Sequence, residues 1–383
     1  MDTRKQCKLG IDLLVFTLTK SILMRGNLIF AVCLPLAFSG IAARSQSLYM
    51  PRNVRQAFLN GTRSADGFPG KNYWQNRARY DIHVTALPPD RKISGSEQIT
   101  YFNQSPDTLK TLVFKLIQNI HIPGAIRFGD ADSDYFNNGV HVDSFLINGK
   151  REKWVTNPGH FTWQEIRLTD PLIPGDSIHL YFRWHYRISL KSGREGMIDS
   201  TTYYLAYFYP RVAVYDDYYG WDRMNFTGEQ EFYNDFNDYT LKVSVPENYL
   251  VWATGMLQNP AEVLQPVFAS KLDRSMHTSA VIHIATPSDL ASKQITLQKA
   301  INTWIFTASH ITDMAIGLSD HYDWDASSLV VDEAKERRVS IQAAYNDRAA
   351  DFHHAVKIGS YSVNWYSHHW PGVPFPFPKM TVL

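Results

Sequence analysis

Between positions 177 and 184 the chain reads Ser-Ile-His-Leu-Tyr-Phe-Arg-Trp, an alternation that sends every second side chain to the same side. Successive residues of a strand point to opposite faces, so this period of two predicts a half-buried strand and is incompatible with a helix. Asp81-Ile82-His83-Val84-Thr85 repeats the pattern, and further strand-like segments fall at 97–102, 112–116, 144–147, 162–168, 239–245 and 281–285. Turn-forming groups punctuate them: Pro88-Pro89-Asp90, Ser105-Pro106-Asp107, Asn157-Pro158-Gly159, Pro174-Gly175-Asp176 and Pro246-Glu247-Asn248. Many short strands with few helical stretches predict a mainly β fold, a large antiparallel sheet system folded on itself.

The pattern changes after about Asp325. Asn346 can cap a helix of about five turns whose apolar positions Phe352, Val356, Gly359, Val363 and Tyr366 step by four and three, with Ala355, Ile358 and Trp365 widening the face. It ends at Trp370-Pro371-Gly372, and after a Pro-Phe-rich stretch residues 379–383 read as a strand. A chain of 383 residues has room for two domains. The second is expected to be incomplete here, because the sequence stops inside that strand.

The first 45 residues stand apart. Arg25, the apolar run 28–37 and Ala43-Arg44-Ser45 form the three parts of a signal peptide, cut near Gln46, with Met24 as an alternative start. Lys20 interrupts the upstream apolar run 13–23 and Asp12 precedes it, so no clean membrane span is expected, an uncleaved anchoring helix being the alternative. Cys7 and Cys33, the only two cysteines, lie inside this segment, so the mature chain has neither a disulfide nor a thiolate nucleophile. The segment also takes six of the 38 Lys and Arg but two of the 37 Asp and Glu, leaving the remainder at net −3. That balance gives no electrostatic footprint for nucleic acid.

A peptidase zinc site commonly needs two His one helical turn apart with a Glu beside the first, since such side chains share a face. None of the 14 His is followed by Glu. His353-His354 and His368-His369 are adjacent pairs pointing about 100° apart, which suits surface roles or, for the second, the negative end of a helix. No Ser-nucleophile elbow, Walker loop or dinucleotide fingerprint occurs. Asp216-Asp217 and Glu229-Gln230-Glu231 read as solvated loop acids, with an acid–base pair as the sharper alternative. The aromatic segment 203–219, followed by Gly220-Trp221-Asp222, fits either core strands at a domain interface or a flat platform for peptide or sugar.

That segment, continued through Gln230-Glu231-Phe232-Tyr233-Asn234-Asp235-Phe236 to Val251-Trp252-Ala253-Thr254-Gly255, resembles the N-terminal domain of exported bacterial zinc metallopeptidases of the aminopeptidase N family. Upstream, 69–76 resembles the lead-in to that domain's first strand and 103–116 the strand–turn–strand that follows. Downstream, 361–379 resembles the first catalytic-domain helix and the aromatic-proline stretch after it. The resemblance implies a saddle-like antiparallel β domain followed by the start of a thermolysin-like α/β catalytic domain, with peptide bound between them. It implies zinc in the intact enzyme, where a Glu-activated zinc-bound water attacks the peptide carbonyl. Tyr207 falls at the position where the family commonly offers a Gln to the substrate's amino group, and a phenol does not supply an amide's contacts. The family's substrate strand, H-E-x-x-H helix and later Glu ligand have no counterpart in the sequence.

The organisation read from these features is a targeting segment at 1–45, a linker with a short helix at 46–72, the β domain at 73–308 and the incomplete catalytic domain at 309–383. The expected function is that of a partial, exported (periplasmic or extracellular) zinc metallopeptidase, inactive alone and binding no zinc itself. No catalytic residue is assigned, and Tyr207 is the one substrate-binding candidate. Two alternatives remain: a non-catalytic β-rich module binding peptide or glycan, and a zinc-free peptidase homologue.

Overall fold

The computed structural model describes residues 49–383 except 191–194 and Glu231, so the signal-peptide segment lies outside the described residues. The alternating run becomes β7 (Ser177–Arg187), whose Ile178, Leu180, Phe182, Trp184 and Tyr186 are all buried. It lies within an eight-stranded sheet ordered β15-β17-β13-β1-β2-β7-β4-β5. The other members are β1 (Arg77–Ala86), β2 (Lys92–Phe102), β4 (His141–Ile147), β5 (Lys150–Glu152), β13 (Asn237–Pro246), β15 (Met256–Leu257) and β17 (Ile301–Ile311). Every pair is antiparallel except β1 with β13.

Three smaller sheets close over this one. They are β10-β3-β6 (β3 Leu109–Lys115, β6 Trp163–Leu172, β10 Arg211–Val212), the two-stranded β11-β12 (Tyr215–Asp216, Gly220–Trp221) and β14-β18-β9-β8 (β8 Gly196–Met197, β9 Tyr203–Ala206, β14 Leu250–Ala253, β18 Ala315–Ser319). Phe114 of β3 meets Phe145 and Phe182 of the large sheet edge to face at 5.7 and 5.2 Å, a geometry the ring quadrupoles favour. The fold is mainly β with large antiparallel sheets, as the patterning required.

A fourth sheet, β16-β19-β20-β21, is made of β16 (Ile282–Ala285), β19 (Asp323–Asp332), β20 (Arg337–Tyr345) and β21 (Lys379–Val382), the last parallel to β20. Trp324, Ala326 and Ala344 face the main core, while Val339, Ile341, Ala343 and Tyr345 face a helix on the other side. Short helices α1 (Arg52–Asn60), α2 (Pro260–Val263), α3 (Pro266–Ser275) and α4 (Pro287–Ser292) serve as connections, and α5 (Ala355–His368) is the covering helix. A short 3₁₀ segment, Ala350–His354, precedes α5, and His354 rather than Asn346 stands at its N-cap. Val356, Gly359 and Val363 are buried as expected, but Tyr366, Ile358 and Trp365 face outward. A Cβ on Gly359 would lie 3.0 Å from Ile341 and 3.2 Å from Met380, so the small residue lets helix and sheet close. Among the described residues no helix is long and apolar enough to cross a membrane.

Candidate functional site

Alternation in β21 decides where its side chains go. Met380 packs into the small core beneath α5, so Lys379 and Thr381 point the other way, toward β14 and β17. There they help wall a cleft of about 460 Å³, with Tyr204, Thr254, Gly255, Thr307 and Ser309 opposite. β14, β15 and β21 each end their sheets, so three strand edges converge on this space. Such edges offer unpaired backbone N–H and C=O groups.

Gly255 makes the turn from β14 into β15 and has φ +87°, a conformation that L side chains rarely adopt. A Cβ there would also sit 2.3 Å from the Thr307 carbonyl oxygen, so only glycine lets β15 close on β17 and shape the cleft floor.

Among the described residues Lys379 is the one charged side chain lining the cleft. Its Nζ donates to the Ala253 carbonyl at 2.6 Å and stands 5.4 Å from the centre of the Phe306 ring, and no carboxylate side chain among the described residues pairs with it. Burial without a counter-charge lowers its pKa to about 7. Tyr204 is the other titratable side chain on the lining, its pKa raised chiefly by burial.

Tyr207 lies elsewhere. It follows β9 with φ +58° and packs on Phe232 at 4.2 Å and Phe226 at 6.0 Å, in a satellite apolar cluster with Ile117 and Ile120. Beside that cluster is a smaller cavity of about 210 Å³. Two buried cations line it, each already paired: Lys115 Nζ with Asp222 at 2.8 Å, and Arg211 with Asp313.

The aromatic segment divides between the two readings. Tyr203, Leu205, Phe208, Tyr209 and Trp221 are buried core, whereas Tyr219 is exposed and Tyr218 lies beneath the Arg63 guanidinium. Asp216 accepts backbone N–H groups of Tyr218, Tyr219 and Gly220, and Asp217 pairs with Arg63 at 2.9 Å, so both acids organise a turn. Gln230 donates to the Asn225 carbonyl and so braces its loop. His353 stands against Asp347, and the ring of His368 donates to the Asn364 carbonyl one turn back. Among the described residues no group of three or more His, Cys, Asp or Glu side chains is placed to hold a metal ion.

No protein-family model matches the chain, and no curated protein matches it in sequence. Among solved structures it is similar to the M1 zinc metallopeptidase from Deinococcus radiodurans, at 14% identity over 82% of this chain and 57% of that one, TM-score 0.45. A mutant of that peptidase bound to a Tyr-Ser-Ala substrate matches at 13% identity over the same shares, TM-score 0.43. The chain thus spans 57% of the length of these structures.

Proposed function

We propose that this chain is the front part of an exported zinc metallopeptidase of the aminopeptidase N type, and that its 460 Å³ cleft receives an extended peptide. One observation carries the reading. Two of the segments that bear the sequence resemblance, Val251-Trp252-Ala253-Thr254-Gly255 and the stretch ending at Lys379, form facing walls of the cleft and are joined by the Lys379–Ala253 hydrogen bond across 126 positions. An extended peptide satisfies the exposed edges of β14, β15 and β21 through main-chain hydrogen bonds, the chemistry of strand addition.

The described residues do not fit the zinc that the resemblance implies, since no metal-holding group stands among them, and no hydrolytic step is derived from them. In the proposed whole enzyme that ion would be held by other residues. Tyr207, in its aromatic cluster, remains part of the proposal only as a more distant contact for the substrate. Export, to the periplasm or the cell exterior, belongs to the same proposal and rests on the N-terminal segment.

Calorimetric titration with a free tripeptide and with a chito-oligosaccharide tests the reading. Peptide binding that is lost in Ser309→Trp, which fills the cleft, is the expected result. Binding of the sugar alone, or peptide binding indifferent to that substitution, would defeat it in favour of a glycan-binding module or another site.

A further inference from the structure

The cleft has a polarity that strand addition alone does not require. Among the described residues its lining carries one cationic side chain and no acidic one, although the described chain is otherwise rich in paired charges. Among the described residues, those that line a small cavity together with Lys379 include Trp252, Phe306, Trp324 and Gln342 and no carboxylate side chain. One of the ammonium's three N–H donors is used by the Ala253 carbonyl, which leaves two. An unpaired cation at an apolar wall is costly, and a ligand anion that reaches it removes that cost.

We propose that Lys379 makes the cleft selective for peptides bearing a carboxylate, which accepts hydrogen bonds from its two remaining N–H groups. The inference rests on the reading of the cleft as a peptide site and adds the class of peptide. The carboxylate comes from an Asp or Glu side chain or from the peptide's own C-terminus, and both present the same chemistry to Nζ.

Protonation follows from the surroundings. With the cleft empty, burial lowers the Lys379 pKa to about 7, and an anion beside it favours the charged form again. Binding therefore takes up a proton from solvent as pH rises through this range. Selectivity is full below pH 7 and falls by about tenfold per pH unit above it, because only the ammonium discriminates.

The test is a titration of the chain with three peptides of equal length: Ala-Glu-Ala-amide, Ala-Gln-Ala-amide and Ala-Gln-Ala with a free carboxylate. At pH 6 one or both carboxylate peptides should bind about tenfold or more tightly than the neutral one, a margin typical of a charge-assisted hydrogen bond, and the tighter arm identifies the source. That margin should vanish by pH 9. Lys379→Met should abolish the margin at pH 6, and Lys379→Arg should retain it, which separates loss of charge from loss of fold. Equal binding of all three peptides at pH 6 overturns the inference and leaves the peptide reading standing. Failure of all three to bind removes the peptide reading and the inference with it. A margin that persists in Lys379→Met overturns the role of this residue.

Discussion

Gly255→Ala tests whether the cleft floor is built as described, with Gly149→Ala as its control. Both glycines have positive φ, +87° and +78°, so an alanine at either position costs about 1–2 kcal/mol of backbone strain. They differ in surroundings. A Cβ at Gly149 meets nothing within 4 Å, whereas one at Gly255 meets the Thr307 carbonyl oxygen at 2.3 Å. That oxygen belongs to the backbone of β17, whose own pairing with β13 and β15 prevents easy retreat. Overpacking of this kind costs about 1–3 kcal/mol more. The entropy removed from the unfolded chain by Gly→Ala is common to both variants and cancels in the difference. At about 2–4 °C per kcal/mol, Gly255→Ala should melt about 2–12 °C below Gly149→Ala. Scanning calorimetry reads the two melting temperatures, and peptide titration reads the cleft. Gly255→Ala should also weaken peptide binding, since β15 must move off β17, while Gly149→Ala, in the β4–β5 turn, should not. Equal melting temperatures, or a Gly255→Ala protein with wild-type affinity, would refute the close approach.

Glu97 is fully buried on β2, its carboxyl without a hydrogen-bond partner among the described residues, and desolvation pushes its pKa well above the usual range. A raised folded pKa means that stability is greatest below the free carboxyl's pKa and falls by about 1.4 kcal/mol per pH unit until the folded pKa is passed. Glu97→Met should therefore be the more stable protein, by a margin that grows with pH in urea unfolding, and a pH-independent margin would contradict the burial. Arg211, buried and paired with Asp313, should cost about 3 kcal/mol when changed to Met, because the partly buried Asp313 loses its counter-charge and keeps only the Tyr209 hydroxyl and the Met314 N–H as donors. Asp313→Asn in the same chain should recover part of that loss, and strict additivity in the double-mutant cycle would show that the pair is not coupled.

The β character was legible because one face of each strand is buried, so the period of two at 177–184 and 81–85 survives in the sequence. The ranges read at 97–102, 112–116 and 239–245 lie within β2, β13 and, but for its last residue, β3. The hairpin β19–β20 leaves no such period in the sequence because both of its faces are buried and several of the buried residues are polar. Ser327, Ser328, Ser340, Gln342 and Asp325 interrupt any simple alternation. The helix after it was readable in kind but not in its start or its exposed rim, since a turn of 3₁₀ structure rotates the register before α5 begins.

The sequence by itself determined that the chain would bury alternate residues of many short strands, that α5 would carry one apolar face, and that Met380 and Lys379 would fall on opposite sides of a strand. Those are consequences of local periodicity, which needs no knowledge of neighbours. Only the tertiary structure decided that Tyr207 would lie in an aromatic cluster and Lys379 on the cleft wall. It also decided that Ala253, 126 positions away, would supply the lysine's hydrogen-bond acceptor. Which face of a strand meets which neighbour depends on sheet order and long-range pairing, and β14, β15 and β21 belong to three different sheets whose edges meet only once the chain has folded.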